Sequence, residues 1–244
     1  LQYLDDALRN PVSGLGNIGS IFLEPIEGSG GIIIPPKNFL QGLRNICNKY
    51  NILLILDEIQ TGFGRTGKTW ASDYENIVPD IMTIGKGIGG GLPVAAVLGK
   101  KDIMDYWEPG SHTTTFLTNA VLQSSSTATI KEFLEKDYLK IISNKGTYFL
   151  NSLKKLKNEF DFIGDVRGKG LLIGVEFVKS RKTKEPAIED TKLFVEQCLK
   201  EGILVRIGGW YDNVLRISPP YTITEKQIDY TINVFYEILK KKTS

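Results

Sequence analysis

The chain has 244 residues, 41% apolar and 24% charged, with a formal net charge of +2. That length allows one large or two modest domains with a proper core. The basic residues are scattered, which excludes a dedicated nucleic-acid surface. The longest apolar runs, such as Ile52–Leu56, are strand-sized, so no membrane span is predicted and no signal peptide is visible.

In chain order, Leu1 opens a charged segment without a methionine and soon gives way to the loop RNPVSGLGN, which reads as the interior of a longer protein. IGSIFLEP (18–25) predicts a strand, followed by the glycine-rich loop IEGSGGIIIPP. Phe39, Leu40, Leu43, Ile46 and Cys47 recur at helical spacing. ILLILDE (52–58) is a buried strand, and PDIMTIG (79–85) and PVAAVLG (93–99) are two more, flanking the run GKGIGGGLP. Short continuous apolar strands alternating with a helix predict an α/β fold, with a mostly parallel sheet covered on both faces. From about Thr118 two helices are expected, to 137 and to 160, and then a strand or hairpin at VRGKGLLIGVEFV. A helix near 190–200, strands at ILVRIG and VLRIS and a final helix over 225–242 complete a second unit. The expected division is 1–130 and 131–244.

Cys47 and Cys198 sit in helix-like stretches without metal-ligand spacing and read as reduced core thiols of a cytosolic protein. His112 is the single histidine, with no matching serine or cysteine pattern, so a hydrolase triad is not expected. Residues 62–69, GFGRTGKT, match the letters of a nucleotide phosphate loop. The context does not match. A phosphate loop follows its strand directly and opens a helix. Here three residues separate the acidic strand end from Gly62, and WASDYENIVP carries no helical apolar stripe.

Ligands of open parallel sheets bind beyond the carboxyl ends of the strands. This sheet would present Glu24, then Asp57 with Glu58 and Gln60, then Lys86. A buried lysine beside a strand-end carboxylate suits Schiff-base chemistry, because burial lowers the amine's pKa; a plain salt bridge suits the same spacing. EPIEGSGG, LLILDEIQTGFGRTGK, PDIMTIGKGIGGGLPVAAVLG, HTTTFLTN and VLRISPPYTIT together resemble the class III pyridoxal-phosphate aminotransferases of fold type I, in order and spacing and over nearly the whole chain. The resemblance implies an enzyme in which residues 1–130 are the C-terminal part of the cofactor-binding large domain and 131–244 a small C-terminal domain.

By the same resemblance Lys86 is the internal aldimine lysine and proton shuttle, and Asp57 pairs with the pyridinium nitrogen of pyridoxal 5'-phosphate. Ile59 packs on the ring, Gln60 reaches its 3-hydroxyl side and Glu24 braces the pocket. Thr115 binds the cofactor phosphate of the neighbouring subunit, which implies a homodimer. Arg216 grips the substrate carboxylate as a bidentate fork, and His112 shapes the phosphate loop.

The chain departs from the family at Glu27 and Ser29, where many members carry glutamine and a second glutamate. In omega-amino-acid transaminases that glutamate neutralises the carboxylate-binding arginine. A buried guanidinium left without an anion costs several kcal/mol, so the pocket is expected to prefer an alpha-amino acid such as alanine over 4-aminobutyrate, with a 2-oxo acid as acceptor. Ser29, the tract FDFIGDVRGKGLLIGVEFVKSRKTKEPA and LRISPPYTIT also resemble 2,2-dialkylglycine decarboxylase, but that enzyme's alkali-metal aspartate is replaced by Asn119. A racemase would need a second acid or base near Ser29, which serine supplies poorly. The family's N-terminal glycine-serine loop and ring-stacking aromatic residue are absent, so an incomplete or inactive fragment is a further alternative.

Overall fold

The computed structural model describes residues 1–116 and 119–243; Leu117 and Thr118 of the HTTTFLTN motif, and Ser244, lie outside the described residues. The chain forms two compact units. The first comprises residues 1–25, 35–63 and 68–137, and the second residues 26–34, 64–67 and 138–244.

The first unit contains α1 (Gln2–Arg9), β1 (Ser20–Leu23), α2 (Phe39–Tyr50), β2 (Leu53–Asp57), β3 (Ile81–Ile84), β4 (Ala96–Gly99), α3 (Lys101–Met104) and α4 (Ala120–Glu135). Its sheet has the order β1-β2-β3-β4. The first three strands are parallel and β4 is an antiparallel edge. Leu54 and Leu56 point to one face and are fully buried under Leu40, Leu43 and Cys47 of α2, with Leu4 and Leu8 of α1 at the margin. The sequence predicts cover on both faces. On the opposite face, however, Phe22 is 58% exposed and Val97 46%. A continuous apolar run shows that a strand can be buried twice, not that the same segment supplies both covers.

At the amino end of the sheet, Asp80 ties four elements together. Its carboxylate accepts Arg44 of α2 and Lys100 beyond β4, both at 2.6 Å, and the Leu54 amide at 2.7 Å. Burial works against its ionisation, but the Lys100 and Arg44 hydrogen bonds outweigh that and hold the carboxyl below the usual aspartate range.

The second unit contains α5 (Tyr138–Glu159), β5 (Ile163–Lys169), β6 (Leu172–Phe177), α6 (Ile188–Lys200), β7 (Arg206–Gly208), β8 (Val214–Ile217) and α7 (Glu225–Thr243). The strands form an antiparallel sheet of order β5-β6-β8-β7. Phe149, Leu153, Val175, Phe177, Phe194, Leu215 and Phe235 build its core. Cys198 lies in the same core, its thiol pushed up to about 12 by burial. No helix of the described residues is long and apolar enough to cross a membrane.

Replacing Asp80 with asparagine strands a half-buried cation and is expected to cost about 3 kcal/mol in chemical denaturation. Because the native carboxyl titrates below its unfolded value of about 3.9, its contribution is complete above that pH and disappears as pH falls through the depressed native value. The D80N variant should therefore lack that part of the wild-type acid dependence.

Candidate functional site at the carboxyl edge of the parallel sheet

Parallel pairing of β1, β2 and β3 forces their carboxyl ends to one edge. Asp57 ends β2, in register with Thr83 of β3. Glu24 follows β1, and Lys86 follows β3 by two residues. Gln60 Nε2 donates to Glu24 Oε2 at 3.3 Å, closing the β1 and β2 ends against each other. Asp57 Oδ1 accepts the Ile59 amide at 2.9 Å, which fixes the carboxyl's direction. A Cβ on Gly85 would sit 3.4 Å from Ile59 Cγ2, so the isoleucine packs against the glycine that precedes Lys86. Lys86 opens a short 3-10 turn, Lys86–Gly89, with φ of 46°. That is the left-handed region, uncommon for a residue with a Cβ, and such strain persists only where its surroundings over-determine it.

The surroundings here come from α4. Ser125 Oγ donates to the Gly89 carbonyl at 2.8 Å, and Thr129 Oγ1 lies 2.2 Å from where a Gly90 Cβ would be. Gly90, at φ 60°, therefore has neither the space nor the backbone for a side chain. The side chain of Asn119 caps α4 by accepting the Val121 and Leu122 amides at 3.1 and 3.2 Å.

One expectation is corrected: Lys86 is exposed. The burial expected to lower its pKa is not supplied by the residues of this unit. Thr115 is exposed too, in the segment after His112, whose ring stacks on Trp107 at 5.9 Å between centroids.

Glu58 has a different task from its neighbour Asp57. It is buried, and accepts Thr61 Oγ1, the Ala71 amide at 3.0 Å and the Ser72 amide at 2.9 Å. Burial raises its pKa against the pull of these donors. The bracket fixes both ends of the GFGRTGKT turn. A Cβ on Gly62 would lie 2.7 Å from the Glu58 carbonyl, Lys68 is exposed, and the following 3-10 turn begins only at Ala71. A phosphate cradle needs free loop amides aimed at one point. Here the Gly62 and Gly67 amides are bonded to Glu58 and Gly64 carbonyls. Arg65 belongs to the second unit, where it donates to the Pro219 carbonyl at 2.6 Å and covers the Tyr221 ring at 4.5 Å. Gly170 (φ 53°) fits against Thr66 and Gly146 so closely that either side chain would clash.

Ser29 and Arg216 meet in the second unit. Arg216 is half-buried on β8, while Ser29 is exposed. A Cβ on Gly208 would lie 2.2 Å from Arg216 Cδ and 3.1 Å from the Ser29 carbonyl, which itself accepts the Gly209 amide at 3.1 Å.

Sequence reasoning missed Thr83, whose Oγ1 is buried beside Asp57 with no hydrogen-bond partner among the described residues. Its signal was one polar residue inside an apolar strand. Ser125 and Thr129 gave none, since their helix reads as ordinary surface.

The donor set fits pyridoxal 5'-phosphate: a primary amine and a carboxylate at adjacent parallel strand ends, an aliphatic side chain beside them and a polar pair next to the carboxylate.

Residues 7–239 match the family model described as aminotransferase class-III. The chain is 42% identical over 229 residues to a leucine/methionine racemase from Thermococcus litoralis, covering 94% of this chain and 51% of the relative. It is 37% identical over 240 residues to an alanine/serine racemase from Pyrococcus horikoshii (98% and 50%), and 40% identical over 225 residues to ornithine aminotransferase 1 from Staphylococcus aureus (92% and 54%). An aminotransferase crystal structure from Bacillus anthracis superposes with a TM-score of 0.90 at 29% identity, covering 99% of this chain and 56% of that one. The chain spans about half the length of the curated relatives it matches.

Glu58→Gln keeps the shape of the bracket but puts an NH2 donor in place of one of the two oxygens, facing either the Ala71 or the Ser72 amide. The expected loss is about 2 kcal/mol of stability, measured by urea unfolding. An unchanged midpoint would mean that the bracket does not hold the turn.

Proposed function

This chain belongs to the class III aminotransferase family, and we propose that it carries the lysine-bearing part of a pyridoxal-phosphate-dependent transaminase that moves an amino group from an amino acid to a 2-oxo acid. The observation that carries the reading is the placement of Asp57 and Lys86 at adjacent parallel strand ends, in a chain matched by the family model over residues 7–239. When bound, the cofactor supplies an electron sink that stabilises negative charge at the substrate's alpha carbon.

The chain's own residues have distinct tasks. Lys86 Nζ would anchor the cofactor and, once released, would take the proton from the substrate's alpha carbon and deliver it to the cofactor C4′. The Asp57 carboxylate holds the ring nitrogen protonated. Ile59 supports one ring face, Gln60 serves the 3-hydroxyl side and Glu24 steadies Gln60 through the hydrogen bond between them. Arg216 binds the substrate carboxylate, with Ser29 beside it. Thr115 serves the cofactor phosphate of a neighbouring subunit in a homodimer, which would also account for its exposure. Exposure of Lys86 fits the same picture, in which its burial is completed by parts outside this chain's described residues. Two buried free cysteines support a reducing, cytoplasmic setting.

A second reading, amino-acid racemisation, is favoured by the names of the two racemase relatives. It would use the same Lys86 proton removal, with a second acid delivering a proton to the opposite face of the alpha carbon. Transamination is preferred because Ser29 offers no strong acid or base at the position beside Arg216.

The full-length protein loaded with pyridoxal phosphate should aminate 2-oxoglutarate, with higher kcat/KM for L-alanine than for 4-aminobutyrate. Lys86→Ala should abolish turnover. D-alanine formed from L-alanine without any 2-oxo acid would move the assignment to a racemase. A clear preference for 4-aminobutyrate would contradict the role given to Ser29 and Arg216.

A further inference from the structure

Strand pairing in the second unit puts three arginines on one row. Arg167 of β5 is opposite Gly174 of β6, Gly174 is opposite Arg216 of β8, and Arg216 is opposite Arg206 of β7. Opposed residues of antiparallel strands point to the same face. The only residue in the row without a side chain lies between Arg167 and Arg216, and the loop carrying Ser29 occupies that gap. A Cβ on Gly174 would lie 3.2 Å from both the Gly31 carbonyl oxygen and Ile32 Cβ.

That loop is strained. Ile32 is fully buried and has φ of 57°, a genuine outlier for a β-branched residue. A Glu27–Ile33 bridge closes the loop. Arg167 grips its far side: Nε donates to the Gly31 and Ile32 carbonyls at 3.0 and 3.1 Å, and Nη2 to Gly31 at 2.7 Å. Nη1 is held by Glu176 at 2.6 Å and Asp165 at 3.1 Å. The near side of the loop meets the β7–β8 hairpin, where the Ser29 carbonyl accepts the Gly209 amide and shares the Gly208 backbone with the Arg216 stem.

We infer that Arg167 is a positioning residue for substrate-carboxylate recognition: it holds the strained Glu27–Ile33 loop over Gly174, and through Ser29 and Gly208 fixes the direction of the Arg216 guanidinium. This deepens the proposed function and rests on Arg216 being the carboxylate anchor. Lysine at 167 would keep a charge for Glu176 and Asp165 but lose the planar fork that engages two carbonyls at once. The loop would then relax from its strained conformation, and a misdirected guanidinium binds carboxylate less well.

The test compares Arg167→Lys, Glu176→Gln and Arg216→Lys with wild type in the full-length holoenzyme. Steady-state kinetics with L-alanine and 2-oxoglutarate is paired with calorimetric binding of propionate and of propylamine. The inference predicts about a tenfold rise in KM for L-alanine in R167K, with kcat within about twofold. Propionate affinity should fall by a similar factor, with propylamine binding unchanged. E176Q should shift the same quantities by about threefold, and it decides the question if R167K does not fold. Unchanged KM and propionate affinity overturn the inference. So does equal weakening of propionate and propylamine, which would mark a merely structural role. If R216K itself leaves carboxylate binding intact, the anchor assignment falls, whereas a defect in R216K alone removes only the role given to Arg167.

Discussion

Parallel pairing of three short strands is the constraint on which the candidate site depends. Parallel strands must each return to the same end of the sheet, so whatever follows β1, β2 and β3 collects at one edge. Glu24, Asp57 and Lys86 are brought to that edge by topology, although 61 residues of sequence lie between the first and the last. The strand register then sets which side chains are neighbours: Asp57 beside Thr83, and Ile59 against Gly85. The amino end is tied by the opposite device, a single buried carboxylate that gathers two cations and a backbone amide at Asp80. One end is closed by ion pairing, and the other is left with reactive groups on short loops.

Much of this was readable in the sequence. Asp57 and Lys86 stood out because each ends an apolar run, and a chain reversal after a buried strand exposes whatever residue is placed there. The GFGRTGKT turn could be separated from a nucleotide cradle by its context. The structure adds the reason: the Gly62 and Gly67 amides are already bonded, to the Glu58 and Gly64 carbonyls. Two matters were not readable. The exposure of Lys86 depends on what packs over the edge, and that is not encoded in the residues beside it. The antiparallel direction of β4 depends on the path of the Gly85–Pro93 connection, which a run of glycines leaves open.

The second unit shows the same division between pattern and register. Its helices and hairpin follow from periodicity, and its core is the expected set of aliphatic and aromatic side chains. The row Arg167, Gly174, Arg216, Arg206 becomes visible only once three pairings are known, because a shift of one residue in any of them would send an arginine to the other face. Nor does composition reveal that Ile32 sits in a backbone region suited to glycine. A strained, buried, β-branched residue between two glycine contacts signals a loop held for its geometry rather than for its own stability.

The central claim is that Lys86 is the residue to which pyridoxal phosphate attaches. Borohydride reduction of the holoprotein, followed by proteolysis and mass mapping, tests it most directly. The account predicts one modified lysine, in the peptide containing Gly85–Lys86–Gly87, with the modification lost in Lys86→Ala. Stoichiometric modification of a different lysine, or full modification persisting in Lys86→Ala, would contradict it.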